Sequence, residues 1–504
     1  PDALSLPAPS VAQLLFGNDG VLLLPEMFLA TALVAVLLWG SLLGNSARHG
    51  RPLLDVASRR LAAAVLLGVL LLLVHAPAGE ASLLVGAYVR DGATAMAGGA
   101  ILVAAIGVFA LSGRGLQSAQ LNSPEYAVLV LILVLGALLL AGARDLVVLY
   151  LALELLSLSS YALAAWRRHS EWSTEAGLKY FLLGAVSSGM FLFGASLIYI
   201  TTGSTHLGDM ARVVAAGEGF AGGGLLEVGV AALVAALLFK LAAAPFHLWV
   251  ADVYQGAPTP VAMLFATVPK IALVAVLARL GGDVGGEGGW APLLAAVAAL
   301  SLGVGSFGAM AQTRVKRLLA YSGIGHGGYV LASLAVGGPL GASGAMFYMA
   351  VYMALSLALW GVLSTGVIRD TRPGAVRTVG DMARMADGHP LLAATAAVAL
   401  FAMAGVPPLA GFYTKALVFY GAMGAGWTAL AVWGVAASVA ASYYYLRLVK
   451  TMYFDVPVRW AGWPGMDWAA GLVVALATAV CLFLIAAPGP WGTGAQLAAL
   501  AMTG

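Results

Sequence analysis

Apolar runs of about 20 residues follow one another along almost the whole chain, and this succession constrains the fold more than any other feature. A helix rises about 1.5 Å per residue, so about 20 apolar residues span the hydrocarbon of a bilayer. Fourteen such runs are legible, near 21–43, 61–76, 92–112, 125–143, 145–166, 178–202, 228–251, 257–279, 291–311, 318–336, 343–367, 390–423, 427–447 and 469–488. The run at 390–423 is long enough to be bent. Of the 504 residues, 62% are hydrophobic and 9% charged, whereas a soluble domain carries about a quarter charged residues. The composition predicts an all-α polytopic membrane protein and leaves no segment for a large soluble domain. The 64 glycines and 21 prolines suit close helix packing and interrupted helices.

The basic residues test that count. Connections after odd-numbered runs hold Arg48, Arg51, Arg59 and Arg60, then Arg114, then Arg167, Arg168 and Lys179. Further on they hold Arg314, Lys316 and Arg317, then Arg369, Arg372, Arg377 and Arg384, then Arg447, Lys450 and Arg459. Even-numbered connections hold only Arg90, Arg144, Arg212 and Arg279. By the positive-inside rule the odd connections face the cytoplasm or mitochondrial matrix, and both termini lie on the opposite side. These residues read as topology signals and headgroup contacts. The chain begins Pro-Asp, which predicts N-terminal processing or a preceding residue.

Three lysines escape the pattern. Lys240 and Lys270 lie inside apolar runs, in LLFKLAAAPFHLWVADVYQGAPTPVAMLFATVPK. Lys415, in AGVPPLAGFYTKALVFY, is the only charged residue between Leu391 and Leu446. An ammonium at bilayer depth costs several kcal/mol and marks a functional position by default. Pro245 follows Lys240 and Pro407-Pro408 precedes Lys415. Proline removes a backbone donor and frees a carbonyl one turn earlier, so both helices should break beside their charge. Non-helical backbone at that depth must be enclosed by protein or line a wet cavity. The opposite order of Lys and Pro at the two places gives only weak support for a duplication.

Glu154, in LVVLYLALELLSLSSYALAAW, is the acid nearest a span centre; Glu26 lies near the start of its run. A carboxylate near Lys240 would couple the two protonation states, which is what a pump requires; a static ion pair is the alternative. His247 is seven residues from Lys240 and would share its face on a regular helix. An imidazole suits a proton relay or a plain interhelical hydrogen bond. His326 stands among Ser322, Gly323, Gly325, Gly327 and Gly328; relay and close packing are equally open there. Tyr443, Tyr444 and Tyr445 read as interface aromatics. One cysteine, Cys481, provides neither a disulfide nor an iron–sulfur ligand set. No Walker loop, dinucleotide fingerprint, metal-spaced cluster or nucleic-acid signature appears.

The blocks ALELLSLSSYALAA, STEAGLKYFLLGAVSSGMFLFG, LLFKLAAAPFHLWVADVYQGAPTPV, VPKIALVA, AQTRVKRLLAYSGIGHGGYV, AGVPPLAGFYTK and YYYLRLVK together resemble the antiporter-like membrane subunits of respiratory complex I. Within them they are most similar to the type numbered 2 in mitochondria and lettered N in bacteria, with a plant and green-alga flavour in RRHSEWSTEAGLKY and YLRLVKTMYFD. The resemblance covers about residues 90–455 and is poor outside them. It implies fourteen helices and two inverted five-helix repeats with helices 7 and 12 broken: residues 1–124 preceding, 125–280 and 291–450 as the repeats, and 451–504 closing the chain. It implies proton translocation through Glu154, Lys240, Lys270 and Lys415, linked by His247 and His326, with Lys179 a lesser member. NADH, FMN, iron–sulfur clusters and ubiquinone would belong to partner subunits. The implied location is the mitochondrial inner membrane, or the bacterial plasma membrane. A stand-alone multisubunit cation/proton antiporter and a structural membrane scaffold are the rival readings.

Overall fold

The computed structural model describes residues 18–45, 52–76, 81–118, 121, 123–215, 224–283, 291–368, 374–457 and 461–484. Arg48, Arg51, Arg369, Arg372 and Arg459, the start of the chain and the tail beyond 484 lie outside these residues. The membrane helices run α1 (Leu24–Asn45), α2 (Pro52–His75), α3 (Gly92–Ser118), α4 (Pro124–Gly142), α5 (Leu146–Ala164), α6 (Glu171–Thr202), α7 (Leu225–Leu241) and α8 (Val250–Gly256). They continue as α9 (Thr259–Asp283), α10 (Ala291–Met310), α11 (Val315–Leu334), α12 (Gly338–Thr365), α13 (Pro390–Ala404), α14 (Ala410–Gly424), α15 (Thr428–Tyr453) and α16 (Trp468–Phe483). Ten of the described helices are long and apolar enough to cross a bilayer. The other four predicted spans fall on α7 with α8, on α11, on α13 with α14, and on α16.

Composition sorts these helices into layers. The spanning window of α9 is 100% buried, against 28% for that of α6. A helix apolar on every face belongs in the middle of a bundle, and α9 packs against α3, α4, α7, α11 and α12. Lys270, on α9, is therefore carried to the centre of the molecule.

Both predicted breaks occur. After α7 the chain turns at Ala242, in the left-handed region at φ 63°, and its amide donates to the Phe239 carbonyl at 3.0 Å. The Ala244 amide donates to Ser301 Oγ on α10 at 2.9 Å, and Trp249 Nε1 donates to the Phe239 carbonyl at 2.9 Å. Backbone polar groups freed inside the bundle are thus re-satisfied by side chains, as an apolar surrounding requires. After α13, Gly405 takes φ 90°, and the amides of Gly405 and Val406 both donate to Phe401.

At one end of the bundle a hairpin pairs β1 (Ala81–Leu83) with β2 (Tyr88–Arg90). At the other, β3 (Val367–Ile368) pairs with β4 (Gly374–Ala375) and β5 (Ala461–Gly462).

Candidate proton-relay site

Glu154, Ser157 and Tyr161 are spaced by three and four residues on α5, so they share one face. Lys240, in the last turn of α7, meets that face: its Nζ donates to Ser157 Oγ at 2.7 Å and to the Tyr161 hydroxyl at 2.8 Å. Carbonyls left over at a helix C-terminus also favour a cation there. Glu154 is close enough for its charge to act on Lys240, yet the two do not touch; Glu154 accepts a hydrogen bond from Ser188 on α6. It is half-buried, at the rim of the bundle beside exposed Leu151 and Leu158.

Lys270 Nζ donates to the Gly323 carbonyl on α11 at 3.0 Å and lies 5.3 Å from the Tyr352 ring centroid. Gly323 leaves room for this approach: a Cβ there would lie 2.9 Å from that nitrogen, and the lysine end would have to move aside. Lys415, on α14, reaches back to the end of α13, donating to the carbonyls of Met403 at 2.9 Å and Ala404 at 3.1 Å, and to Ser438 Oγ on α15 at 2.8 Å. In both broken pairs an ammonium therefore sits at the C-terminus of the first half-helix. The inverted Lys–Pro order in sequence hid this equivalence, because one lysine belongs to the helix it caps and the other to the helix that follows.

His326 is buried on α11; it lines one narrow gap with Lys415, and its ring lies 4.8 Å from that of Tyr352, which also meets Lys270. Its Nδ1 bonds the Tyr348 hydroxyl on α12 at 2.8 Å, and its Nε2 bonds the Tyr445 hydroxyl on α15 at 3.1 Å. Of the glycines around it, Gly328 serves packing, since a Cβ there would lie 2.9 Å from the Leu302 amide nitrogen on α10, whereas a Cβ at Gly327 would meet nothing within 4 Å. Tyr445 and Tyr444 are buried at 2% exposure while Tyr443 is 57% exposed, which corrects their reading as interface aromatics. The signal was available, since successive helical positions rotate by about 100° and three aromatics in a row cannot share a surface.

Two other expectations change. α7 ends at Leu241, so His247 lies in the non-helical link before α8 and the shared helical face with Lys240 does not exist. No hydrogen bond joins them among the described residues. Lys179 is 41% exposed at its side chain and pairs with Glu175 at 2.6 Å and Asp252 at 2.8 Å; Arg317 completes the cluster on Asp252 at 2.6 Å. Lys179 thus belongs to a tie between α6, α8 and α11, apart from the buried lysines.

Two arginines that the sequence placed in connections, Arg90 on β2 and Arg279 on α9, are also deeper than headgroup anchors. Arg90 pairs with Glu26 at 2.5 Å, Tyr88 adding a bond at 3.0 Å, and Arg279 pairs with Asp91 at 2.8 Å; all four charged residues are buried. Asp91, just ahead of α3, is pushed up by burial, but bonds from Arg279 and the Thr94 amide outweigh that and hold its carboxyl below the ordinary range.

Buried ammonium groups on neutral partners, beside two interrupted helices in a membrane bundle, fit the antiporter-like class of membrane subunits. Residues 143–441 match the family described as NADH:quinone oxidoreductase/Mrp antiporter, TM. The chain belongs to this family. It is 43% identical to NADH-quinone oxidoreductase subunit N 1 of Acidiphilium cryptum over 86% of this chain and 89% of that protein. It is 35% identical to NADH-ubiquinone oxidoreductase chain 2 of Marchantia polymorpha over 94% of this chain and 97% of that protein. A chain in the structure of respiratory complex I from Thermus thermophilus with bound aureothin superposes with a TM-score of 0.77 at 34% identity, covering 92% of this chain and 97% of that one.

Proposed function

We propose that the chain is an N-type subunit in the membrane arm of an NADH:quinone oxidoreductase and moves protons along its buried lysines. The observation that carries this reading is that Lys270 and Lys415, both buried, have only carbonyl, hydroxyl and ring partners, with no carboxylate in salt-bridge range among the described residues. An ion pair would hold an ammonium charged; dipoles alone leave both protonation states accessible. Redox chemistry on NADH, FMN, iron–sulfur clusters and ubiquinone belongs to partner subunits in this reading, and the single cysteine of this chain fits that division. Glu154 and Lys240 form the input, where a change at the rim alters a charge inside; Lys270, His326 and Lys415 carry the proton on. Tyr161 packs on Tyr180, and Tyr180 packs on Phe265 of α9, the helix that carries Lys270, so ring packing joins the two lysine-bearing regions. The two broken pairs support two five-helix units of opposite orientation. Relatives of both the bacterial and the mitochondrial type support a respiratory membrane as the location, the mitochondrial inner membrane or the bacterial plasma membrane.

Lys270→Met and Lys240→Met test the reading in vesicles carrying the assembled complex. Protons moved per NADH oxidised should fall, while NADH oxidation by an artificial acceptor and the yield of complex stay unchanged. An undiminished proton yield from the assembled double variant would overturn it. Cation exchange without NADH oxidation by the purified assembly would favour a stand-alone antiporter.

A further inference from the structure

The mechanism above uses His326 but not the groups that hold it. Both ring nitrogens bond tyrosine hydroxyls, and a neutral imidazole has one donor and one acceptor nitrogen. One hydroxyl must therefore donate to the ring while the other accepts from it. The choice is coupled to Ser322, because the Tyr445 hydroxyl also bonds Ser322 Oγ at 2.5 Å. If Tyr445 donates to Ser322 it must accept from Nε2–H, and Tyr348 then donates to Nδ1. If Ser322 donates to Tyr445, the whole row reverses.

Each end of this row lies near one of the two central lysines. Ser322 is next in sequence to Gly323, whose carbonyl holds Lys270. At the other end Tyr348 and Lys415 line one narrow gap with Thr414 and Tyr352. The groups facing His326 that can carry charge or a proton are Tyr329 on its own helix, Tyr348 and Tyr352 on α12, Tyr445 on α15, Lys270 on α9 and Lys415 on α14.

We propose that Tyr445 is a positioning residue of the relay: anchored by Ser322, it sets the tautomer of His326 and hence the direction in which the Lys270 end and the Lys415 end exchange a proton. A proton delivered through one hydroxyl converts His326 to the imidazolium, and the proton on its other nitrogen leaves through the opposite hydroxyl. One proton enters, one leaves, and the ring is left in the reversed tautomer. The proposal rests on the relay reading above.

The test uses Tyr445→Phe, Ser322→Ala and His326→Ala in vesicles carrying the assembled complex, with protons moved per NADH and the pH profile of the coupled rate as readouts. Tyr445→Phe keeps the ring and loses the hydroxyl; the proton yield should fall about twofold or more and the profile should shift. Ser322→Ala should shift the profile in the same direction with a smaller loss. If His326→Ala loses yield while Tyr445→Phe keeps both yield and profile, Tyr445 only braces α15 against α11 and the proposal fails with the relay intact. If His326→Ala also keeps full yield, the relay itself has failed at this residue. Should Tyr445→Phe not assemble, Ser322→Ala decides alone: an unshifted profile overturns the proposal.

Discussion

Tyr161 illustrates how narrowly each lysine is held. Its hydroxyl and that of Ser157 are the hydrogen-bond partners of Lys240, and the ring fits because Gly184 on α6 leaves it room. A Cβ at Gly184 would lie 2.6 Å from Tyr161 Cζ. Gly184→Ala is expected to push the hydroxyl off Lys240 and lower the proton yield of the assembled complex. Gly189→Ala on the same helix, which meets nothing within 4 Å, should leave the yield unchanged; equal effects in vesicle assays would break the link between Tyr161 and Lys240. At this scale the charged members were legible, because an isolated ammonium in an apolar run is conspicuous. The hydroxyls were not. Tyr161, Tyr348 and Tyr445 look like any aromatic in a greasy helix until a partner helix brings a nitrogen to them.

The broken helices were foreseeable as breaks, since proline cannot continue the hydrogen-bond ladder. Their place was less so: α7 ends at Leu241, four residues before Pro245, which moved His247 off the helix. Close helix contact depends on single glycines. Gly305 and Gly325 face each other where α10 meets α11, but their needs differ. A Cβ on Gly305 would lie 2.6 Å from Gly325 Cα, whereas a Cβ on Gly325 would meet nothing closer than 3.8 Å. Gly305→Ala should therefore cost about 1–3 kcal/mol and lower the yield of assembled subunit, while Gly325→Ala should be tolerated. Equal membrane yields for both variants would show that the helices can slide apart freely.

Across the whole molecule, the hairpin end of the bundle is locked by two buried ion pairs, Glu26 with Arg90 and Asp91 with Arg279. Arg279 lies on α9, nine residues beyond Lys270, so its pair joins the central helix to the start of α3. Removing one partner strands a buried charge. Arg279→Leu should destabilise by about 3–5 kcal/mol, and adding Asp91→Leu should recover part of the loss. Thermal unfolding of the purified complex measures both, and a double variant no better than the single one would argue against the pairing. Asp91 is held below its ordinary 3.8, so its contribution is full above that value and is lost as pH falls through the lower folded value.

The amino-acid sequence by itself determined that the chain lives in a bilayer, where its helices run, that two of them break, and which cations the hydrocarbon would not tolerate without a reason. Hydropathy, proline chemistry and the cost of a buried charge act within a single segment, so they need no neighbours to be read. Only the tertiary structure decided what each cation meets: the carbonyls of a broken helix for Lys415, a glycine carbonyl for Lys270, a serine and a tyrosine for Lys240, and a row of hydroxyls through His326. Those partners lie on other helices, often more than 50 residues away in sequence, and packing alone brings them within hydrogen-bond distance.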